Sequence, residues 1–228
     1  MIPLRDDNPT EITPVVTVGF IVLCVLVFLY EISLPERTNE VFVYMYGAIP
    51  AVLFGHAQLP PEFVSLPIYG TLISSMFLHG GWMHLVGNML YLWIFGNNIE
   101  DVMGHGKFIV FYFLCGVLAA LSHALIDPTS EIPMVGASGA IAGVLGAYLL
   151  LYPHARVLVL VPYGFMGTFY IPAVVVLGLW FLMQLLSGGM SVGHEGGGVA
   201  FFAHIGGFIA GMALIGLFKN PNVKFLKR

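Results

Sequence analysis

The sequence predicts an all-α polytopic membrane protein, a bundle of six transmembrane helices with a long, partly membrane-embedded first outer loop. Three observations carry this reading. Of 228 residues, 58% are hydrophobic and 9% charged, against about 25% charged in a soluble domain. The mean hydropathy is +0.92. Six apolar segments, at 12–30, 81–97, 107–125, 138–152, 171–186 and 200–218, each approach the roughly 20 residues that a bilayer requires. They read as a single domain over 1–228, with no internal repeat.

Taken in order, the first segment reads as a retained span. Asp6, Asp7 and Glu11 precede it where a signal peptide carries positive charge, and no small-x-small cleavage site follows. The connection 31–80 is too long for a structureless loop and contains the apolar run Val41-Phe42-Val43-Tyr44-Met45-Tyr46, so it predicts short helices lying in the interface. The last outer loop, 187–199, is glycine-rich and reads either as a plain connector or as a mobile lid.

Orientation follows from the positive charges. Arg5, Lys107, Arg156, Lys219, Lys224, Lys227 and Arg228 fall on the side of both termini, and Arg37 alone falls on the other. That places the termini in the cytoplasm and the loops 31–80, 126–137 and 187–199 outside. The net charge of −4 gives no reason to expect nucleic acid. Cys24 and Cys115 lie inside apolar stretches and read as small core residues, not as a disulfide.

Topology brings the polar residues of the spans together. The second, fourth and sixth segments enter from the outer side, carrying His84 and Asn88, Ser138, and His204 near their starts. All four are expected at similar depth, and Asn88 follows His84 by one helical turn. A polar group in hydrocarbon is costly without a partner. The spacings Gly139–Gly143 and Ala203–Gly207–Gly211 form small-residue stripes that let helix backbones approach, bringing Ser138 within reach of His204.

The chemistry that fits is acyl transfer. A serine hydroxyl needs an adjacent base such as neutral imidazole, and the oxyanion formed on attack needs donors already in place. His84, Asn88 and the Ser138 backbone N–H can supply them, helped by a helix dipole if the helix begins at Ser138. No Asp or Glu lies well inside a segment, so the expectation is a Ser–His dyad. Ser138 as a helix N-cap and the other three as packing residues is the duller alternative. His79 and His123 read as structural; His56, His105, His154 and His194 read as loop residues.

These residues resemble the rhomboid family of intramembrane serine proteases, in its basic six-helix bacterial form, over roughly residues 70–217. The resemblance rests on Phe77-Leu78-His79-Gly80-Gly81-Trp82-Met83-His84-Leu85-Val86-Gly87-Asn88-Met89, on Gly136-Ala137-Ser138-Gly139-Ala140, and on Gly198-Val199-Ala200-Phe201-Phe202-Ala203-His204-Ile205-Gly206-Gly207. It implies Ser138 as nucleophile, His204 as general base, and His84, Asn88 and the Ser138 N–H as the oxyanion hole. It also implies a bacterial cytoplasmic membrane, no metal or other cofactor, and substrates that are transmembrane segments unwinding near the outer face. Two departures stand out. Tyr69-Gly70 replaces a Trp-Arg pair that many relatives carry in the first outer loop, leaving the loop's anchor absent or supplied elsewhere, with Trp82 and Arg37 as candidates. Ala142 replaces an aromatic that some relatives place beneath the histidine.

The rival readings are a catalytically silent protein that binds membrane helices, and a transporter. The latter is disfavoured by the lack of intramembrane carboxylates and of an inverted repeat. A zinc protease is disfavoured because no His-Glu-x-x-His run occurs.

Overall fold

Helix dominates because an apolar chain in hydrocarbon must satisfy its backbone hydrogen bonds within the segment itself. The computed structural model describes residues 1–163, 165–191 and 200–226, the side chains of 162, 163, 165 and 166 excepted. A strand β1 (Ile2–Asp6) leads into helix α1 (Val15–Ser33). The first connection then folds into α2 (Glu36–Tyr46), α3 (Pro50–Leu53), two single 3₁₀ turns, α4 (Thr71–Ser74) and a further 3₁₀ turn. Next come α5 (Trp82–Tyr91), a π turn over Leu92–Gly96 and α6 (Asn97–Met103), which follow one another as an unbroken helical run. After α7 (His105–Ala124) and α8 (Ser138–Leu151), a hairpin of β2 (Arg156–Tyr163) and β3 (Phe165–Pro172) precedes α9 (Ala173–Ser191) and α10 (Phe201–Phe218).

Among the described residues, α1, α7, α9 and α10 are long and apolar enough to cross a membrane. Their outward residues are large and apolar, such as Val22, Leu26 and Leu29 on α1 and Leu182, Met183 and Leu186 on α9. An outer surface of this kind suits lipid, and the chain is an integral membrane protein. The helix α8 is different. It has 14 residues, about 21 Å at 1.5 Å per residue, and most of its side chains are buried. It is a short central post ringed by longer helices.

The post is packed by the absence of side chains. A Cβ at Gly207 would overlap the carbonyl oxygen of Gly139, and one at Gly211 would overlap that of Gly143. One at Gly143 would stand 2.5 Å from the Cβ of Cys115, and one at Gly139 would stand 2.6 Å from the Cβ of Ala119. The helices α7, α8 and α10 therefore touch almost backbone to backbone, which supplies close dispersion contact where no hydrophobic force separates helix from lipid.

Two expectations are corrected. The chain is mostly helical but not all-α, because β1, β2 and β3 form an antiparallel sheet in that order. Val157 and Val159 face inward, fully buried, with Leu158 between them less so; this period of two, in β-branched residues, favours strand. The second correction concerns 187–191, assigned by composition to a loop. It continues α9, because Gly188 is buried against Phe201 and Ile205 of α10. The rest of that glycine-rich stretch, 192–199 with His194, lies outside the described residues.

The sheet, the end of α6 and the C-terminal tail gather at one end of the bundle. Asp101 Oδ1 accepts from the N–H groups of Glu11 (3.0 Å) and Ile12 (2.8 Å). The Asn220 N–H donates to Val102 O (2.9 Å), and the Leu226 N–H to Leu150 O (3.0 Å). Glu100, fully buried, accepts from the N–H groups of Val16 and Thr17 at 2.9 and 2.8 Å and from the Thr17 hydroxyl at 2.7 Å. It thereby serves the N-terminal donors that α1 leaves open. His105, expected in a loop, opens α7 and donates from Nδ1 to Glu100 Oε1 at 2.6 Å.

At the same end the Tyr148 hydroxyl donates to Asp6 Oδ2 at 2.6 Å. Burial pushes the Asp6 carboxyl up to about 6 from 3.8, against the opposing pull of that hydrogen bond. Between those values the folded state binds more protons than the unfolded one, so stability falls as pH rises from about 4 to about 6. The expected loss is on the order of 1 kcal/mol after solvent screening. Thermal midpoints of the detergent-solubilised protein across that window, compared with Asp6→Asn, check it: the variant should lose this part of the slope.

Candidate active site

The site lies at the opposite end of the bundle, where α8 begins. The short post starts at Ser138, half-buried, and the neighbouring α10 presents His204, buried, alongside it. His204 Nε2 lies 2.8 Å from Ser138 Oγ. Ser138 is not a helix N-cap. That position is Ala137, and no side chain caps the helix. As the first helical residue, Ser138 also presents an N–H with no intrahelical acceptor, at the positive end of the helix dipole.

The other face is built by α5 and the strand-like approach to α8. Gly136 has φ +120°, a conformation that favours glycine, and its N–H donates to Ser75 O at 2.8 Å. A Cβ there would stand 2.6 Å from His84 Cε1 and Nε2 and 3.7 Å from Asn88 Nδ2. His84 and Asn88 thus converge on the backbone two residues before Ser138, one turn apart on the same helix. The Gly80 N–H donates to His84 Nδ1 at 3.3 Å, which leaves the ring proton on Nε2, the nitrogen facing Gly136. Asn88 Nδ2 is buried and has no hydrogen-bond partner among the described residues. A buried donor without an acceptor is costly unless something else supplies one.

Sequence reasoning missed what holds His204. Its Nδ1 lies 2.8 Å from Gln184 Oε1, and Gln184 Nε2 donates to Trp180 O at 3.3 Å. The Trp180 ring lies 5.8 Å from the His204 ring at 37°. The ring and hydrogen-bond contacts to the histidine thus come from α9, while Ala142 carries no aromatic. The available signal was Gln184 itself, an amide in an otherwise apolar segment. Glu31 was also missed. It lies in the last turn of α1, is buried, and accepts the His79 N–H at 3.2 Å, while His79 Nδ1 donates to Phe77 O at 3.2 Å and its ring lies 5.1 Å from that of His84.

The first connection is anchored mainly by backbone. Tyr69 is largely exposed. Ala48 and Met134 exchange both backbone hydrogen bonds (3.0 and 2.8 Å), and the Ser74 hydroxyl donates to Tyr46 O at 2.7 Å. Of the two candidate anchors, Trp82 packs edge-on against Phe28 of α1 at 5.0 Å, and Arg37 borders a cavity lined by the first connection and Glu131. Among the described residues no group of three His, Cys, Asp or Glu side chains could hold a metal ion.

Comparison with known proteins identifies the family. The family model described as the Rhomboid domain matches residues 68–220. The chain is similar to Rhomboid protease GluP of Bacillus subtilis, 32% identical over 203 residues that cover 88% of this chain and 35% of that protein. It is similar to Rhomboid protein 1, mitochondrial, of Saccharomyces cerevisiae, 31% identical over 75% of this chain and 51% of that one. Rhomboid-like protease 3 of Toxoplasma gondii is 28% identical over 92% of this chain and 68% of its own length. The chain thus spans about half or less of the first two of these relatives.

Proposed function

The chain belongs to the rhomboid family, and on that premise we propose that it is an intramembrane serine endopeptidase. The observation that carries the proposal is the 2.8 Å approach of His204 Nε2 to Ser138 Oγ at the mouth of a buried helix. With the ring proton on Nδ1, facing Gln184 Oε1, the Nε2 lone pair accepts the proton of Ser138 as Oγ attacks a peptide carbonyl. The resulting oxyanion takes hydrogen bonds from His84 Nε2–H, Asn88 Nδ2–H and the Ser138 N–H. His204 then returns the proton to the departing amine. Water, activated by the same Nε2, hydrolyses the acyl-serine and restores the hydroxyl.

The site's depth supports a transmembrane substrate. Gly139 meets Ala119 of α7, which runs on to Ala124, so Ser138 starts below the end of that neighbour, at a distance from soluble chains. A helix entering there must unwind, since helical carbonyls are occupied by internal hydrogen bonds. We place six spans around this site by adding the run 82–103 and the short α8 to the four long helices. We keep 1–228 as one domain, with the outer loop 31–80 seated partly in the interface. We assign the protein to a bacterial membrane, and we read the bias of positive charges as support for termini on the cytoplasmic side and a site toward the outside. Relatives in this family include mitochondrial proteins.

The test is reconstitution of the protein in liposomes with a single-span substrate carrying a helix-breaking segment near its outer end. The products are mapped by mass spectrometry. Cleavage within the span, near its outer end, is expected. Binding of the substrate without turnover under any condition would instead make the protein a silent helix binder.

A further inference from the structure

The hydrogen bonds around His204 fix more than its position. Gln184 is a neutral amide with an acceptor at one end and donors at the other, and both ends are engaged. The Trp180 carbonyl can only accept, so the Gln184 NH₂ must face it, and Oε1 must face His204. An acceptor at Nδ1 then requires the proton on Nδ1, leaving the lone pair on Nε2, where Ser138 Oγ stands 2.8 Å away. With the amide turned over, two acceptors would meet at Trp180 and His204 would carry its proton on the nitrogen facing the serine. Only one orientation satisfies both contacts.

We propose that Gln184 is the positioning residue of the dyad, taking the place of a carboxylate and setting the His204 tautomer through the backbone carbonyl of Trp180. The inference rests on the protease reading above and deepens it. Gln184 touches no substrate; it acts through His204. Being neutral, it orients the imidazole without neutralising the imidazolium that forms on proton transfer. The Trp180 ring, tilted over His204, bounds the imidazole on the same side, so α9 holds the base by ring contact and hydrogen bond together.

The experiment is the rate of labelling by a serine-directed fluorophosphonate across pH, in detergent-solubilised protein, for wild type, Gln184→Met, Gln184→Glu and Ser138→Ala. Thermal midpoints are measured alongside. Methionine keeps the length and suits an apolar helix but accepts only weakly, so its labelling should slow on the order of 10- to 100-fold with little change in midpoint. Glutamate restores an acceptor at the same reach and should recover most of that rate. Its acid limb should move to higher pH, because a carboxylate at Nδ1 stabilises the imidazolium.

Gln184→Met labelling at the wild-type rate overturns the proposal. So does Gln184→Glu labelling as slowly as Gln184→Met, since the amide would then matter by shape alone. A wild type that does not label, or a Ser138→Ala chain that labels equally, removes the protease reading and this inference with it. That result is separate from the first two.

Discussion

Ser138→Ala and His204→Ala should each lower peptide-bond cleavage by about 10⁴-fold or more, and the double variant should be little worse than either single one. The reason is the geometry of one hydrogen bond. Ser138 Oγ has no nearby acceptor for its proton other than His204 Nε2 at 2.8 Å, among the described residues, and an un-ionised hydroxyl is a poor nucleophile. Removing either partner removes the same step, so the losses do not add. The serine change should not disturb folding much, whereas His204→Ala also loses buried contacts with Gln184 and Trp180 and some stability with them. Ser138 is half-buried and does not cap its helix, and Ala suits a helix start with no cap to lose. Initial cleavage rates of reconstituted protein, with thermal midpoints as a folding control, check this. Cleavage surviving in both single variants would remove the dyad from the account.

The largest effect on stability should come from a single side chain at Gly211. Its missing Cβ lies where the Gly143 carbonyl now sits, and the Cα of Gly143 would be 2.6 Å away. The obstacle is backbone, which cannot rotate aside like a flexible side chain. Gly211→Val must therefore separate α10 from α8 at a cost of about 3 kcal/mol or more. The same separation would pull His204 from Ser138, since they stand on those two helices. A thermal midpoint lowered by several degrees, with activity lost out of proportion, is expected. Gly178→Ala on α9 is the control. Nothing lies within 4 Å of its Cβ position, so the substitution should be neutral or slightly stabilising. Equal midpoints for the two variants would mean that the glycine stripe is not what holds the post.

What could be read from the sequence was set by periodicity and polarity. Long apolar runs revealed α1, α7, α9 and α10, because a bilayer demands length. Ser138, His84, Asn88 and His204 stood out because each is polar near the start of an apolar run. The hairpin 156–172 was passed over because its residues are as apolar as those of a span, and only their alternation and the pairing with β1 make it a sheet. The end of α9 was missed because Ser187-Gly188-Gly189 has loop composition, and tertiary contact with α10 overrode propensity. Gln184 was visible but carried no spacing that tied it to His204. Its partner lies 20 residues away across a helix pair, and only the fold brings them together. Glu31 and Glu100 lie just outside the apolar segments 12–30 and 81–97, and that position alone gives no sign that both are buried and bonded.

An activated serine in the membrane region is what the protease reading requires of this chain. The most direct measurement is the site of covalent modification by a fluorophosphonate, read by mass spectrometry on wild-type protein and on His204→Ala. One adduct, on Ser138, is expected in the wild type and none in the variant. A folded wild type without an adduct on Ser138, or an adduct that forms equally well without His204, would contradict it.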